Sequence, residues 1–413
     1  MSDSSADQNS GGGWDQGGGG GGGEDSVTEV TQTSWLQRLM QSFVGMLVGL
    51  GFLGGSVFLL VWNEDRAVTA IRALDNGLGR VVEAQAAAAD PALQGKLVHL
   101  TGPLQAATPP RDPAFGVNAT GQVRLRRTLE MYQWRETEHT RTEKTGGGGE
   151  RTIKTYSYER VWSETPIESG RFRNAGDHRN PPMPARSATY DAPDARLGAY
   201  RMEPAVLDRI DAFKPFDGPA PGAEQRGFRR EGEWFYRGQD SANPQLGDMR
   251  LKFAAVAAQT ASVVAGQADG ALVPYKGRQG STIALANVGI ESAADLIHEK
   301  KSEEATLTWV LRVVGFVVML LGFMLVMKPL TLLLAFIPFV EGIVGAGVFI
   351  VALTLAAPLT LLTIAFAWLA VRPVVGGGLI VAAVVVLWAL RRRGRGRVAA
   401  LAPQAQPMTA WPR

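Results

Sequence analysis

The chain has 413 residues, a formal net charge of +3 and a mean hydropathy close to zero, values that are ordinary for a soluble protein of two or three domains. It contains no cysteine, which excludes disulfides, thiolate metal sites and thiol catalysis. The net charge is too small to indicate nucleic acid as a partner. These averages conceal an asymmetry, because the apolar residues concentrate near the two ends of the chain.

The chain begins with a Gly-rich tail followed by an apolar helix. Residues 1–34 contain GGGWDQGGGGGGG and bury too little apolar surface to offset the entropy of ordering, so they predict a disordered tail. Residues 35–62 predict the first transmembrane helix, since the segment from Met40 to Trp62 is free of charge and long enough to cross about 30 Å of hydrocarbon. Its position after a polar tail favours a retained anchor over a cleaved signal peptide.

Four glycines in this helix are candidates for helix packing. Gly45, Gly49, Gly51 and Gly55 form two small-xxx-small pairs, a pattern that lets helix backbones approach closely in lipid. Glycine is also frequent in membrane helices in general. The four glycines therefore either form an oligomerisation surface or are merely tolerated by the bilayer.

The middle of the chain, residues 63–308, predicts a β-rich extramembrane domain with flanking helices. Alternating runs such as KLVHLTG, TIKTYSYERVW and DMRLKFAAV indicate strands between residues 96 and 276. Apolar residues at helical spacing predict a helix directly after the first span, a second over 201–213, and a third in SAADLIHEKKSEEA. The fold class is therefore an α+β membrane protein.

Beyond Thr308 the apolar runs predict three more spans. These are residues 309–327, 344–371 and 374–390, with a surface helix at 329–343 and a basic tail at 391–413. The charges at the predicted membrane boundaries are Arg312, Lys328, Glu341 and Arg372.

Charge distribution predicts the orientation of these spans. The run RRRGRGR follows the last span and Arg38 precedes the first, so both termini are predicted to be cytoplasmic and the number of spans even. One span before the domain and three after it satisfy this condition. The alternative, a hairpin of two short spans broken at Pro338, would bury Glu341 and make the total odd.

The sequence gives little evidence of a catalytic or metal-binding site. The four histidines are scattered without helical metal spacing, and the charges of EMYQWRETEHTRTEK lead into TGGGGE as expected for the solvated end of a β-hairpin. Those glycines lack the Gly-Lys-Ser/Thr continuation of a phosphate-binding loop. The sequence predicts no catalytic residue, no metal site and no cofactor, and an enzyme is not expected.

Several segments in a shared order resemble the transmembrane protein 43 family, also called LUMA. They are NEDRA, GKLVHLTG, VRLRRTLEMYQW, YSYERVW, DHRNP, GEWFY, NPQLGDMRLKF, LVPY, TWVLRVVG and LTLLT followed by RP. The resemblance covers residues 35–390 and implies four spans with a large lumenal domain. Animal members are described as self-associating proteins of the endoplasmic reticulum and inner nuclear membrane that act with lamins and emerin. The Gly-rich tail, the GGGG run and Pro358 depart from the family pattern.

These observations predict a self-associating scaffold in a bacterial inner membrane, with its large domain in the periplasm. Its expected partners are itself, membrane lipid and other membrane proteins, without nucleic acid. The alternative is a transporter or channel-like assembly that uses Arg312, Glu341 and Arg372. Depth separates the two hypotheses, because charges at the membrane edges favour a scaffold and charges at the midplane favour transport.

Overall fold

The structure is a computed structural model that describes residues 26–145, 149–277, 282–334 and 340–369, with a few positions between 377 and 388. Within these residues three helices are long and apolar enough to cross a membrane. The helices, numbered along the chain, are α1 (Trp35–Leu78), α2 (Pro204–Leu207), α3 (Pro221–Gln225), α4 (Ala293–Leu334) and α5 (Val340–Leu369). The apolar three are α1, α4 and α5.

The strands form most of the middle of the chain. They are β1 (Ser26–Thr33), β2 (Val82–Glu83), β3 (Leu97–Gln105), β4 (Arg111–Asp112), β5 (Val117–Asn118), β6 (Gln122–Lys144), β7 (Glu150–Ser163), β8 (Ala188–Asp191), β9 (Arg196–Leu197), β10 (Tyr200–Met202), β11 (Lys214–Pro215), β12 (Arg229–Glu231), β13 (Trp234–Arg237), β14 (Met249–Ala257), β15 (Gln259–Ala268), β16 (Ala271–Val273), β17 (Tyr275–Lys276), β18 (Thr282–Ile283) and β19 (Leu285–Val288).

One large sheet has the order β1-β7-β6-β14-β13-β12, with β8 beside β6 and β11 beside β14. Burial alternates along most of β14, so one face of the sheet is buried there and the other is partly exposed. The covered face packs Leu129 and Phe253 against Phe115 and Phe228 from outside the sheet. The long hairpin of β6 and β7 extends well beyond the residues that β14 pairs with.

A second sheet closes on itself. Its order is β19-β15-β16-β10-β9-β3-β2, and β15 also pairs with β3, so that β15, β16, β10, β9 and β3 form a ring. Leu100, Leu197, Tyr200 and Val263 fill the interior of this ring. Closure gives each of these five strands a partner strand on both sides.

The apolar helices join the domain through their polar extensions. At about 1.5 Å per residue, the 44 residues of α1 are about 66 Å long, roughly twice the hydrocarbon thickness. Leu74 near its end packs with Leu97 of β3, and Leu296 and Ile297 near the start of α4 join the same cluster. The helix predicted after the first span is thus continuous with the span itself.

The predicted combination of a β-rich domain with apolar helices before and after it is confirmed. Of the surface helix predicted at residues 329–343, residues 329–334 continue α4 and residues 340–343 begin α5. The predicted fourth span at residues 374–390 and the basic tail at residues 391–413 lie largely or wholly outside the described residues, as does most of the predicted Gly-rich tail.

Two local assignments differ from the sequence analysis. Ser26–Thr33, placed in the disordered tail, forms β1 and pairs with β7, because its β-branched residues find a partner strand that the sequence alone does not identify. The helix predicted over 201–213 is a single turn, α2. Its apolar residues Met202, Val206 and Ile210 are nevertheless buried in the core of the ring.

Candidate functional site

The candidate site lies where α1, α4 and α5 meet. Helices α1 and α4 run antiparallel, since Trp35 Nε1 donates to Leu332 O at 3.3 Å and Asn63 Nδ2 donates to Thr308 O at 3.1 Å. Between these points Gly49 lies so close to α4 that a Cβ added there would be 2.8 Å from Gly322 O. The two backbones therefore approach closely at Gly49 and Gly322, within the apolar part of both helices.

A buried carboxylate holds the three helices together. Glu64, two residues after the charge-free run of α1, is fully buried and accepts hydrogen bonds from Arg312 of α4, Nε to Oε1 at 2.6 Å and Nη2 to Oε2 at 2.8 Å. The indole Nε1 of Trp368, in the last turn of α5, donates to the same carboxylate. The Arg312 guanidinium also packs over the Trp309 ring at 4.8 Å. A bidentate charge-assisted pair of this kind is strong and directional.

Helical spacing explains why these side chains converge. Leu60 and Glu64 are one turn apart on α1, and Leu60 packs against the Cβ position of Gly315 on α4, one turn from Arg312. Small residues at the contact thus bring the helices near enough for the longer charged side chains to pair just outside the apolar part.

Further polar contacts continue the α1–α4 interface towards the domain. Arg66 pairs with Glu304, and Asp75 pairs with Lys301. These pairs lie in the helical extensions and connect the site to the β-rich domain. The order along the two helices is therefore an apolar contact, the buried Glu64–Arg312 pair, and then partly exposed ion pairs.

An apolar cavity of about 530 Å³ adjoins the Glu64–Arg312 pair. Its lining includes Phe316 and Val313 from α4, Ala357 and Leu361 from α5, and Trp309 and Trp368 at the end that faces the pair. Its chemistry suits hydrocarbon, because the polar groups at its end already bond to one another.

The predicted boundary charges have different surroundings. Arg312 pairs with Glu64, whereas Lys328 is exposed near the opposite end of α4. The backbone of Glu341 lies in the first turn of α5, and its side chain is outside the described part of the chain, as is all of Arg372. The structure therefore brings none of the other predicted charges to Arg312 within the described residues.

The four candidate glycines of α1 also differ in their surroundings. A Cβ at Gly49 would overlap α4, whereas a Cβ at Gly45, Gly51 or Gly55 would meet no atom within 4 Å. Gly51 and Gly55 face away from α4, on a side of α1 that also carries exposed Phe58. Gly49 thus serves packing within the chain.

Sequence reasoning missed Glu64 and Trp368. A weak signal existed, because Glu64 directly follows one apolar run and Arg312 lies just inside another, and opposite charges at equivalent depth can neutralise each other. Their pairing joins residues 248 positions apart, which no local pattern reveals.

A second polar cluster lies in the β-rich domain around His99. Its ring nitrogens contact the Glu83 carboxylate at 2.7 Å and the Glu291 carbonyl oxygen at 3.0 Å. Burial, together with the nearby carboxylates of Glu299 and Asp295, raises the pKa of Glu291 above its usual range. Among the described residues there is no group of three or more His, Asp or Glu side chains with metal-binding geometry.

Comparison with known proteins identifies one group of relatives. A family model described as Transmembrane protein 43 matches residues 131–373. Transmembrane protein 43 of Rattus norvegicus is 32% identical over 359 residues, covering 84% of this chain and 89% of the relative. The Homo sapiens protein of that name is 32% identical over 355 residues, covering 83% and 88%. The Drosophila melanogaster homolog is 29% identical over 332 residues, covering 78% and 88%. No solved structure matches the chain.

Proposed function

The chain belongs to the transmembrane protein 43 family, and from this membership we propose that it is an integral membrane scaffold that self-associates and organises other membrane proteins or lipid. The observation that carries the proposal is the Glu64–Arg312–Trp368 cluster, in which the charges of Glu64 and Arg312 bond to each other at the domain end of the helix bundle. Such a cluster fixes the arrangement of three helices and suits a rigid anchor.

The transporter alternative is less well supported by the same cluster. Transport requires ionisable groups near the membrane midplane that face water or exchange partners. Glu64 and Arg312 instead lie at the edge of the apolar segments, and both Glu64 oxygens are bonded. Charges at this depth favour the scaffold.

The proposed topology has four spans, with both termini in the cytoplasm and residues 63–308 in the periplasm of a bacterial inner membrane. Support comes from the antiparallel order of the helices: α4 leaves the domain end of the bundle, and α5 returns to that end at Trp368. A further crossing by residues 374–390 would carry the run RRRGRGR to the side where α1 begins, in agreement with the positive-inside rule.

The proposed self-association surface is the side of α1 that carries Gly51 and Gly55. It is free of contact with α4 and α5, and neighbouring side chains such as Val48 and Phe58 are exposed. In lipid, close approach of helix backbones at small residues supplies the packing that drives association.

Native mass spectrometry of the full-length protein, released from membranes in mild detergent, tests this function. We expect a defined homo-oligomer that retains lipid. A protein that remains monomeric at every concentration, including after reconstitution and crosslinking in lipid, would overturn the scaffold proposal.

A further inference from the structure

Both ends of helix α1 contact the β-rich domain. At its C-terminal end, Leu74 packs in the cluster that contains Leu97 and Ile283. At its N-terminal end, β1 pairs with β7 over eight residues, from Ser26↔Ser157 to Thr33↔Glu150. Arg38 in the first turn of α1 then lies 2.8 Å from Glu150, at the tip of the hairpin formed by β6 and β7.

The hairpin is long enough to run beside the whole apolar part of α1. Strands β1 and β7 and the part of β6 beyond Met131 form a sheet that we call the polar ribbon. Met131 is the last residue of β6 that pairs with β14. From Met131 to Lys144 the polar ribbon extends about 43 Å at about 3.3 Å per residue. The charge-free run from Met40 to Trp62 is about 35 Å long. If α1 crosses the membrane, the polar ribbon lies at membrane depth.

The polar ribbon cannot face lipid. Arg135 pairs with Glu159 while both side chains remain more than half exposed, and Lys154 pairs with Glu138 in a similarly open position. Ionised groups are costly in hydrocarbon. Its two long edges also have no further strand within the described residues, and open sheet edges do not occur in contact with lipid because their N–H and C=O groups would be unsatisfied.

We infer that the polar ribbon lies in a water-filled space at membrane depth, enclosed by further copies of this chain whose apolar helices face the lipid. This inference rests on the proposed topology and self-association. The three apolar helices that the structure describes leave the charged faces of the ribbon open, so other copies supply the remaining wall. The side of α1 around Gly51 and Gly55, which no described helix covers, offers an apolar contact surface for a neighbouring copy.

The first test is whether β1 pairs with β7 in native membranes. Thr28 and Thr155 are register partners, and the absence of natural cysteine makes introduced thiols unambiguous. A Thr28→Cys, Thr155→Cys variant should form an intrachain disulfide on mild oxidation, detected by mass spectrometry of the linked tryptic peptides. The matched control is Thr28→Cys with Thr152→Cys, which is three residues out of register, about 10 Å, and beyond disulfide reach.

The second test is whether the polar ribbon is in contact with water. A His139→Cys variant places a thiol on an exposed position about halfway along the ribbon. A membrane-impermeant maleimide should modify it in sealed vesicles of at least one orientation. The control is Val57→Cys in the charge-free part of α1, which should react only after detergent is added.

The outcomes separate this inference from the scaffold proposal. A disulfide together with reactive His139→Cys supports the water-filled space. Absence of the disulfide, or an unreactive thiol beside a formed disulfide, overturns it, even if the protein is oligomeric. Labels showing that a Leu36→Cys variant, at the exposed start of α1, and residue 280 lie on the same side would overturn it too, because α1 would not cross the membrane. A monomeric protein with a reactive thiol overturns enclosure by copies and the scaffold together.

Discussion

At the scale of single residues, the contribution of the Glu64–Arg312 pair to stability is a small difference between two large opposing free energies. Taking both charges out of water costs several kcal/mol per ion, and their mutual attraction and hydrogen bonds offset that cost only while both are present. The pair therefore fixes the geometry of the helices more clearly than it adds to stability, and removal of one partner should be much more harmful than removal of both.

We predict that Arg312→Met lowers the stability of the folded protein by about 3–5 kcal/mol, since it leaves the buried Glu64 carboxylate without a counter-charge. The double variant Glu64→Gln, Arg312→Met should recover most of this loss. Unfolding followed by tryptophan fluorescence in detergent measures both. Lys328→Met, at an exposed lysine of the same helix, is the control and should change stability by less than about 0.5 kcal/mol. Equal losses in the single and double variants would contradict coupling between the two residues.

A pH-dependent prediction follows from Glu291. Its pKa is raised in the folded protein, chiefly by burial and then by Glu299 and Asp295, so the folded state binds this proton more tightly than the unfolded state. Stability therefore falls as pH rises from the usual carboxyl range through the folded pKa, and is constant above it.

Glu291→Gln should remove this pH-dependent loss of stability. It should keep the hydrogen bond from Asn287 Nδ2, because the acceptor is a side-chain oxygen and glutamine also has one. We expect the variant to melt above the wild type near neutral pH, with a difference that shrinks as the pH is lowered. Melting temperatures over a pH series measure this. Glu299→Gln, which removes one neighbouring carboxylate, should shift the melting temperature in the same direction by less. A difference between Glu291→Gln and wild type that does not change with pH would contradict the assignment.

At the scale of elements, the glycines of α1 separate packing within a chain from packing between chains. We predict that Gly49→Ile lowers the stability of the monomer by about 1–3 kcal/mol or more, because its side chain would overlap Gly322 and Leu325 of α4. Gly55→Ile meets open space and should leave monomer stability unchanged while it weakens the oligomer.

Size-exclusion chromatography with light scattering, together with thermal unfolding, distinguishes the two effects. Val57→Ile adds bulk to the same helix without touching either glycine pair and is the control. An unchanged oligomer in Gly55→Ile would show that the assembly is held by another surface, such as the β-rich domain.

The elements that the sequence predicted share one property, which is that their signal is local. Strand β14 alternates apolar and polar residues over most of its length, and the apolar runs of α1, α4 and α5 are long enough for a span. Closure of the ring was not predictable, because it depends on β15 pairing with β3 across more than 150 residues. For the same reason the sequence did not predict β1 or the partner of Glu64. Both depend on contacts between distant parts of the chain.

At the scale of the whole molecule, the orientation in the membrane decides how the domain, the polar ribbon and the helices fit together. If α1 crosses the bilayer, the domain and the first residues of α1 lie on opposite sides, although β1, which precedes α1, pairs with a strand of that domain. The polar ribbon must then reach from one side to the other. If α1 does not cross, no such requirement exists. A measurement of sidedness therefore tests the architecture as a whole.

We predict that alkaline phosphatase fused after Gly280 is active and that the same enzyme fused after Arg397 is inactive, because the domain is periplasmic and the arginine run is cytoplasmic. Green fluorescent protein fused at the same two positions is the complementary control, and it should fluoresce only after Arg397. Phosphatase activity at both positions would mean an even number of crossings after the domain, and hence that residues 335–390 cross a different number of times from the proposal. Activity at neither position would place the domain in the cytoplasm. Helix α1 would then either start on the periplasmic side or fail to cross. Only in the second case would the β1–β7 pairing no longer require a polar ribbon at membrane depth.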